Sequence, residues 1–203
     1  MRRYFLITMM ICACLPTFAQ FDFSLRDTRF ASVGYTLKAH WQFRFESSLF
    51  NTDEQHQNFL LYSGYKHSIK GFEGSALPYY GMAWDGNYKL AGAKLNVKYN
   101  ILGRVIVDAT YNPHWDSMYG FNHCYMAGVE VPVSSEISLT ARCQNIPEYR
   151  VVAKRVRVGM RFKVRNLSVN PEFSFAPNKI LKPMRVMVGF CYTFQSDKNN
   201  HCR

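Results

Sequence analysis

Along Val151–Val164, VVAKRVRVGMRFKV, one parity holds Val152, Val156, Val158, Met160, Phe162 and Val164, while the other holds Arg155, Arg157, Arg161 and Lys163. Apolar and polar residues alternating at period two mark an extended strand with two unlike faces. The stretch is longer than an ordinary globular strand and suits one that crosses a bilayer obliquely with water behind it. The pattern recurs near the other end of the chain, where Met184, Val186, Val188, Phe190, Tyr192 and Phe194 alternate with Arg185, Met187, Gly189, Cys191 and Thr193. Followed along the chain, it predicts strands over 21–26, 30–38, 41–50, 58–67, 77–84, 88–99, 104–111, 123–131, 137–144, 150–164, 167–175 and 183–194. The fold class this predicts is all-β, a transmembrane antiparallel up-and-down β-barrel of about 12 strands, with 10 as the alternative count. Short turns and longer polar connections roughly alternate, as periplasmic turns and external loops do. The stretch 69–76 is long for a periplasmic turn.

Polarity of the two faces decides which one lines the barrel. Gly34, Gly64, Gly92, Gly128, Gly159 and Gly189 all fall on the polar parity of their strands. On a solvated sheet they would weaken the strands, whereas inside a narrow barrel they make room for large neighbours and let the wall curve. The polar face is therefore read as the interior. On the apolar parity, Trp41, Tyr99, Tyr192 and Phe194 fall at periplasmic strand ends and Tyr111, Tyr125, Phe173 and Phe175 near external ends, like two interfacial girdles. Lys154 is a charge on the apolar parity, near enough to the external end to reach headgroups.

The first nineteen residues, MRRYFLITMMICACLPTFA, combine Arg2 and Arg3, an apolar run and small residues before Gln20. They read as a signal peptide for Sec export, 1–19, followed by a barrel domain, 20–194, and a short polar tail, 195–203. Removing 19 of the 203 residues leaves 184, enough for one barrel and too few for two. Hydrophobic residues make up 48% and charged residues 19%, yet mean hydropathy is slightly negative (−0.21), as expected when apolar and polar positions alternate.

The net charge of +11 falls to +9 once Arg2 and Arg3 leave. Nucleic-acid binding is not expected, because the cations are spread singly at period two on an exported chain and no recognition motif accompanies them. The expected interior instead gathers Lys38, Arg44, Lys66, Lys94, Lys98, Arg104, Arg142, Arg155, Arg157, Arg161, Lys163 and Arg185 against Glu46, Asp108, Glu130 and Glu172. Of these, Arg44, Lys94, Lys98, Arg104, Arg142, Arg155, Arg157, Arg161, Lys163 and Arg185 are the candidate anion-binding residues of a basic lumen. A filled barrel whose acids pair with some of those arginines would carry much the same residues.

Cys124, Cys143, Cys191 and Cys202 remain after export, at irregular spacings that indicate no metal site, and no cofactor is expected. Cys124 and Cys143 have opposite parity on neighbouring strands, so no disulfide joins them. Among His40, His56, His67, His114, His123 and His201, His123 is the candidate for catalysis, with Asp116 and Ser117 upstream. Nothing in that spacing enforces a triad. Asn112-Pro113-His114-Trp115-Asp116 reads equally as an external recognition loop.

The strand that ends at Phe194 resembles the closing strand of bacterial outer-membrane barrels, which the insertion machinery recognises by its terminal aromatic; here QSDKNNHCR follows it. SLTARCQNIPEYR, from Ser138 to Arg150, looks like a strand and loop of TonB-dependent receptor barrels, a likeness of general barrel vocabulary only. Nearly the whole exported chain resembles small bacterial outer-membrane β-barrel proteins of unassigned function. The resemblance implies a Gram-negative outer-membrane location, contact with outer-membrane lipids and lipopolysaccharide, and assembly by the barrel machinery. The expected function is non-enzymatic: a narrow, porin-like, anion-preferring passage, or a structural or surface-interaction protein. The alternatives are a lipid-modifying acyl hydrolase or acyltransferase using His123, and a soluble periplasmic β-protein that binds an acidic ligand.

Overall fold

The computed structural model describes residues 19–26, 30–48, 58–148, 151–176 and 184–194. Residues 1–18 of the expected leader, the polar tail, the residues 49–57, and His56 and His201 lie outside the described residues, whereas Ala19 lies in a strand. Twelve strands follow one another: β1 (Ala19–Arg26), β2 (Phe30–Leu37), β3 (Trp41–Ser48), β4 (Asn58–Ile69), β5 (Phe72–Ala83) and β6 (Lys89–Ile101) form the first half. The second half comprises β7 (Val105–Asp116), β8 (Gly120–Pro132), β9 (Ile137–Glu148), β10 (Val151–Val164), β11 (Leu167–Phe175) and β12 (Met184–Phe194). Each pairs antiparallel with its sequence neighbours, and β1 pairs with β12 from Phe21↔Phe194 to Arg26↔Gly189, closing the barrel. The up-and-down topology and the count of twelve are those the alternation predicts, and the ten-strand count is excluded.

The registers fix the shape of this wall. Chained from strand to strand, they accumulate an offset of about 14 residues between leaving β1 and returning to it. For twelve strands at normal spacing, that offset tilts the strands about 40° from the axis and sets a backbone radius of about 12 Å. Such a barrel is wider than the eight-strand kind that side chains fill, and narrower than a large porin.

Three ladders are interrupted, each at a proline. The β4–β5 pairing skips the position of Pro78, β6–β7 that of Pro113, and β10–β11 that of Pro171. Proline has no N–H to donate, so the chain stays extended while one ladder bond is lost. This accounts for the main departure from the sequence reading: Asn112 to Asp116 continue β7 instead of forming an external loop, and only Ser117 to Tyr119 turn before β8. The stretch 69–76 resolves likewise into the end of β4, a two-residue turn at Lys70 and Gly71, and the start of β5. Its alternation of Phe72, Gly74 and Ala76 with Glu73 and Ser75 is too weakly apolar to read as a strand.

The apolar parity faces outward. Val33, Phe43, Phe45, Leu61, Leu95, Val97, Val156, Val158, Met160, Phe173 and Phe190 are all exposed on the outer surface. Trp41, Tyr99, Tyr192 and Phe194 at one end, and Tyr111, Tyr125, Phe173 and Phe175 towards the other, are exposed as well. An apolar exterior of this extent is a lipid-facing belt. It overturns the soluble-protein reading, which required the apolar parity to enclose a dry core. No helix among the described residues is long and apolar enough to cross a membrane.

A candidate anion-binding lumen

Every inward strand position alternates with a lipid-facing one, so the period-two pattern itself delivers polar side chains to the lumen. Arg44 on β3, Lys94 and Lys98 on β6, Arg142 on β9, and Arg155, Arg157, Arg161 and Lys163 on β10 all stand at inward positions of the wall. Arg185 occupies an inward register position, opposite Ser174. Arg104 departs from the sequence reading: it belongs to the turn between β6 and β7, where its N–H donates to the Ile101 carbonyl, and not to the lumen wall. Lys38 likewise sits in the β2–β3 turn.

The densest charge lies on the wall formed by β8 to β11. Glu172 accepts from Arg142 at 3.1 Å and lies 3.6 Å from Arg157, so two guanidiniums converge on one carboxylate. Arg155 is buried beside them, with Nη1 3.5 Å from the Ser174 hydroxyl. The Nε of Arg142 is buried and has no hydrogen-bond partner. Towards the end where β1 begins and β12 ends, Arg161 pairs with Glu130 and donates from Nε to Asn170 at 3.1 Å.

Farther around the barrel, β4 to β6 present a different surface. Tyr62 and Tyr79 pack with ring centroids 5.0 Å apart, and the Tyr79 hydroxyl donates to Asn112 at 3.0 Å. Asn96 donates to Ser75 and accepts from Thr110, forming a neutral chain across three strands. Lys94 stands among these groups and interacts electrostatically with Arg26, Glu46 and Arg44. Followed around the barrel, the registers set Arg142, Arg157 and Glu172 at about the same height as Tyr62, Lys94 and Glu46. The lumen thus has a waist with cations on both sides.

The inward side chains of Arg44, Arg161 and Lys66 keep 39%, 28% and 27% of their surface accessible, and those of Arg142 and Arg157 keep 20% and 17%. The wall also carries acids that the sequence reading leaves out: Asp22 pairs with Arg44 at 2.9 Å and Glu73 with Lys66 at 2.6 Å, while Glu46 pairs with Arg26 at 3.2 Å. Asp22 lies on β1, and Glu73 in the stretch 69–76 that reads as a long turn. Strand alternation extended by a few residues is the signal that finds both.

Interior glycines seat these acids. A Cβ on Gly34 would overlap the Asp22 carboxylate, and one on Gly128 would come 2.8 Å from Asp108 Oδ1. A Cβ on Gly92 would lie 2.8 Å from the Tyr79 hydroxyl. Each glycine is a notch that lets a neighbouring strand's side chain lie flat against the wall, which leaves the axis clear.

His123 faces lipid on β8. Its Nδ1 is 3.1 Å from the Tyr111 hydroxyl, and Phe121 packs edge-on against its ring. Asp116 is on the inner face, where it accepts from the N–H groups of Met118 and Tyr119, and the Ser117 hydroxyl accepts from the Lys89 N–H. The wall thus separates the imidazole from the carboxylate, and no triad forms. Cys124 faces inward and Cys143 is exposed on the outside. No group of three potential metal ligands occurs among the described residues.

No family model matches the chain, and no curated protein does. Solved structures do. The KdgM porin in complex with disordered oligogalacturonate aligns with a TM-score of 0.66 at 10% identity, covering 87% of this chain and 99% of that one. The NanC porin aligns with a TM-score of 0.58 at 9% identity over 87% and 99%. The Acinetobacter baumannii outer membrane protein Omp33 aligns with a TM-score of 0.50 at 10% identity over 87% and 96%. The shared feature is the fold, a closed antiparallel β-barrel.

Proposed function

We propose that the protein is a non-enzymatic passage through the outer membrane that favours anions. The observation that carries this reading is the waist, where Arg142 and Arg157 converge on Glu172 with Arg155 buried beside them, and Lys94, Arg44 and Arg26 stand with Glu46 farther round the lumen. More guanidinium than carboxylate at one height leaves a positive field in a confined aqueous space, which concentrates anions and repels cations. The 12 Å backbone radius leaves space for a hydrated solute between the walls. A short acidic oligosaccharide is one candidate, since an oligogalacturonate is held by a porin of this fold. Contact of the external aromatic end with lipopolysaccharide, and recognition of the strand ending at Phe194 by the barrel-assembly machinery, belong to the same proposal.

Purified protein in planar bilayers under a potassium chloride gradient tests it. The expected reversal potential has the sign of an anion-selective pore, and Arg142→Gln with Arg157→Gln moves it towards that of an unselective one. Absence of conductance in any salt gradient would assign the barrel a structural role instead.

A further inference from the structure

The turns at the end where β1 begins and β12 ends carry a charge pattern unconnected with the waist. Five turns close this end, at 38–40, 70–71, 102–104, 133–136 and 165–166, and four of them hold one cation each: Lys38, Lys70, Arg104 and Arg165. All four are exposed, and none forms an ion pair with a described residue. Glu136 is the single acid in the five turns.

Three of these cations occupy left-handed positions of their turns. Lys38, Lys70 and Arg165 have φ of 51°, 43° and 52°, in the left-handed region where glycine or asparagine is favoured and a long side chain is strained. Ala39 and Leu102 share this conformation, which the tight hairpin turns impose on whatever residue occupies them.

A second observation says what lies beside them. Leu102, one residue from Gly103 and two from Arg104, is 89% exposed, and Ile69, Val133 and Val164 are also well exposed at strand ends or turns. Apolar side chains bare at the tips of turns, directly beyond the belt that includes Trp41 and Tyr99, mean that this rim sits within the interfacial layer of the membrane and not clear of it in water. At that depth the surrounding anions are lipid phosphates.

We propose that Lys38, Lys70, Arg104 and Arg165 form a ring that docks the anionic headgroups of glycerophospholipids in the inner leaflet, with Leu102 inserted beside them. Each cation adds an increment of attraction to a negative lipid surface, and the ring acts as a collar that fixes the height and tilt of the barrel. The proposal rests on the membrane location of the barrel and is independent of what passes through the lumen.

The test uses the full chain folded into phosphatidylethanolamine vesicles with and without phosphatidylglycerol, and reads the temperature at which the compact gel band is lost. Phosphatidylglycerol is expected to raise that temperature by several degrees for the wild type. In the combined variant Lys38→Asn, Lys70→Asn, Arg104→Gln and Arg165→Asn most of the rise disappears. Asparagine relaxes the left-handed turns, so this variant is at least as stable as the wild type in phosphatidylethanolamine alone, which separates lipid docking from a folding defect. Lys154→Gln, a lipid-facing cation near the other end, keeps the rise. A combined variant that retains the full rise would overturn the proposal, as would a rise reproduced by soluble inorganic phosphate.

Discussion

Gly159 on β10 lies directly beneath Glu172 on β11: a Cβ added to the glycine would come 2.9 Å from Glu172 Cγ and would also collide with the Pro171 carbonyl. The carboxylate that gathers Arg142 and Arg157 is thus positioned by the absence of a side chain on the strand beside it. Gly159→Ala is expected to destabilise the folded barrel by about 1 to 3 kcal/mol, the usual cost of overpacking. Urea titration in lipid bilayers, followed by tryptophan fluorescence, measures it. An unchanged midpoint would mean that the acid is not seated on this notch.

Glu172→Gln removes the charge but keeps the shape. Two guanidiniums then lose their ionic partner, and a buried charge left unmatched is unfavourable. Stability is expected to fall while anion selectivity rises, because the waist becomes more positive. Reversal potentials of the variant and the wild type, measured side by side, give the sign. A shift towards cations would contradict the placement of this acid in the lumen.

Cys124 and Cys143 offer a direct test of inside and outside. In single-cysteine proteins reconstituted in vesicles, a charged, membrane-impermeant maleimide is expected to react with Cys124 through the aqueous lumen. Cys143 should react only with a lipid-soluble reagent. Oxidants should form no bridge between them in the protein that retains both, since they lie on opposite faces of the wall. Labelling in the reverse pattern would invert the barrel.

His123→Ala removes the Tyr111 contact at the lipid surface. The expected effect is a stability change of less than about 1 kcal/mol, the scale of one exposed hydrogen bond. Mass spectrometry of outer-membrane lipids should show the same acyl chains with wild type, with the variant and without the protein. Altered acyl chains that depend on His123 would restore the enzymatic reading.

The strands were legible wherever one face is continuously apolar. Val156 to Val164 and Val186 to Phe194 announce both their conformation and their lipid side, because the hydrocarbon belt tolerates few substitutes. Legibility failed where the outward residues are small or proline, as at Gly74, Ala76 and Pro113, since lipid contact by such residues leaves little trace in hydropathy. Parity alone gave the inward direction of Arg142, Arg155, Arg157 and Arg161. Their grouping with Glu172 was not legible, because it depends on the register between β9, β10 and β11 and on a notch at Gly159. The convergence of β4 to β6 with β9 to β11 across the lumen depends on closure itself, which no local pattern reports. Arg104 was misplaced because a strand beginning and a turn ending differ by one residue.

Closure between β1 and β12 has its own consequence for how the protein comes into being. Phe21 meets Phe194, so the first and last strands of the chain must find each other across nearly its whole length. Every other pairing joins sequence neighbours and can zip in order, but this joint cannot form until the final strand exists. A chain stopped before Met184 would leave β1 and β11 as two bare edges in or beside a membrane, each ready to pair with another chain. Such a product should aggregate instead of surviving as a smaller pore, which makes the barrel an all-or-none object at the moment of its synthesis.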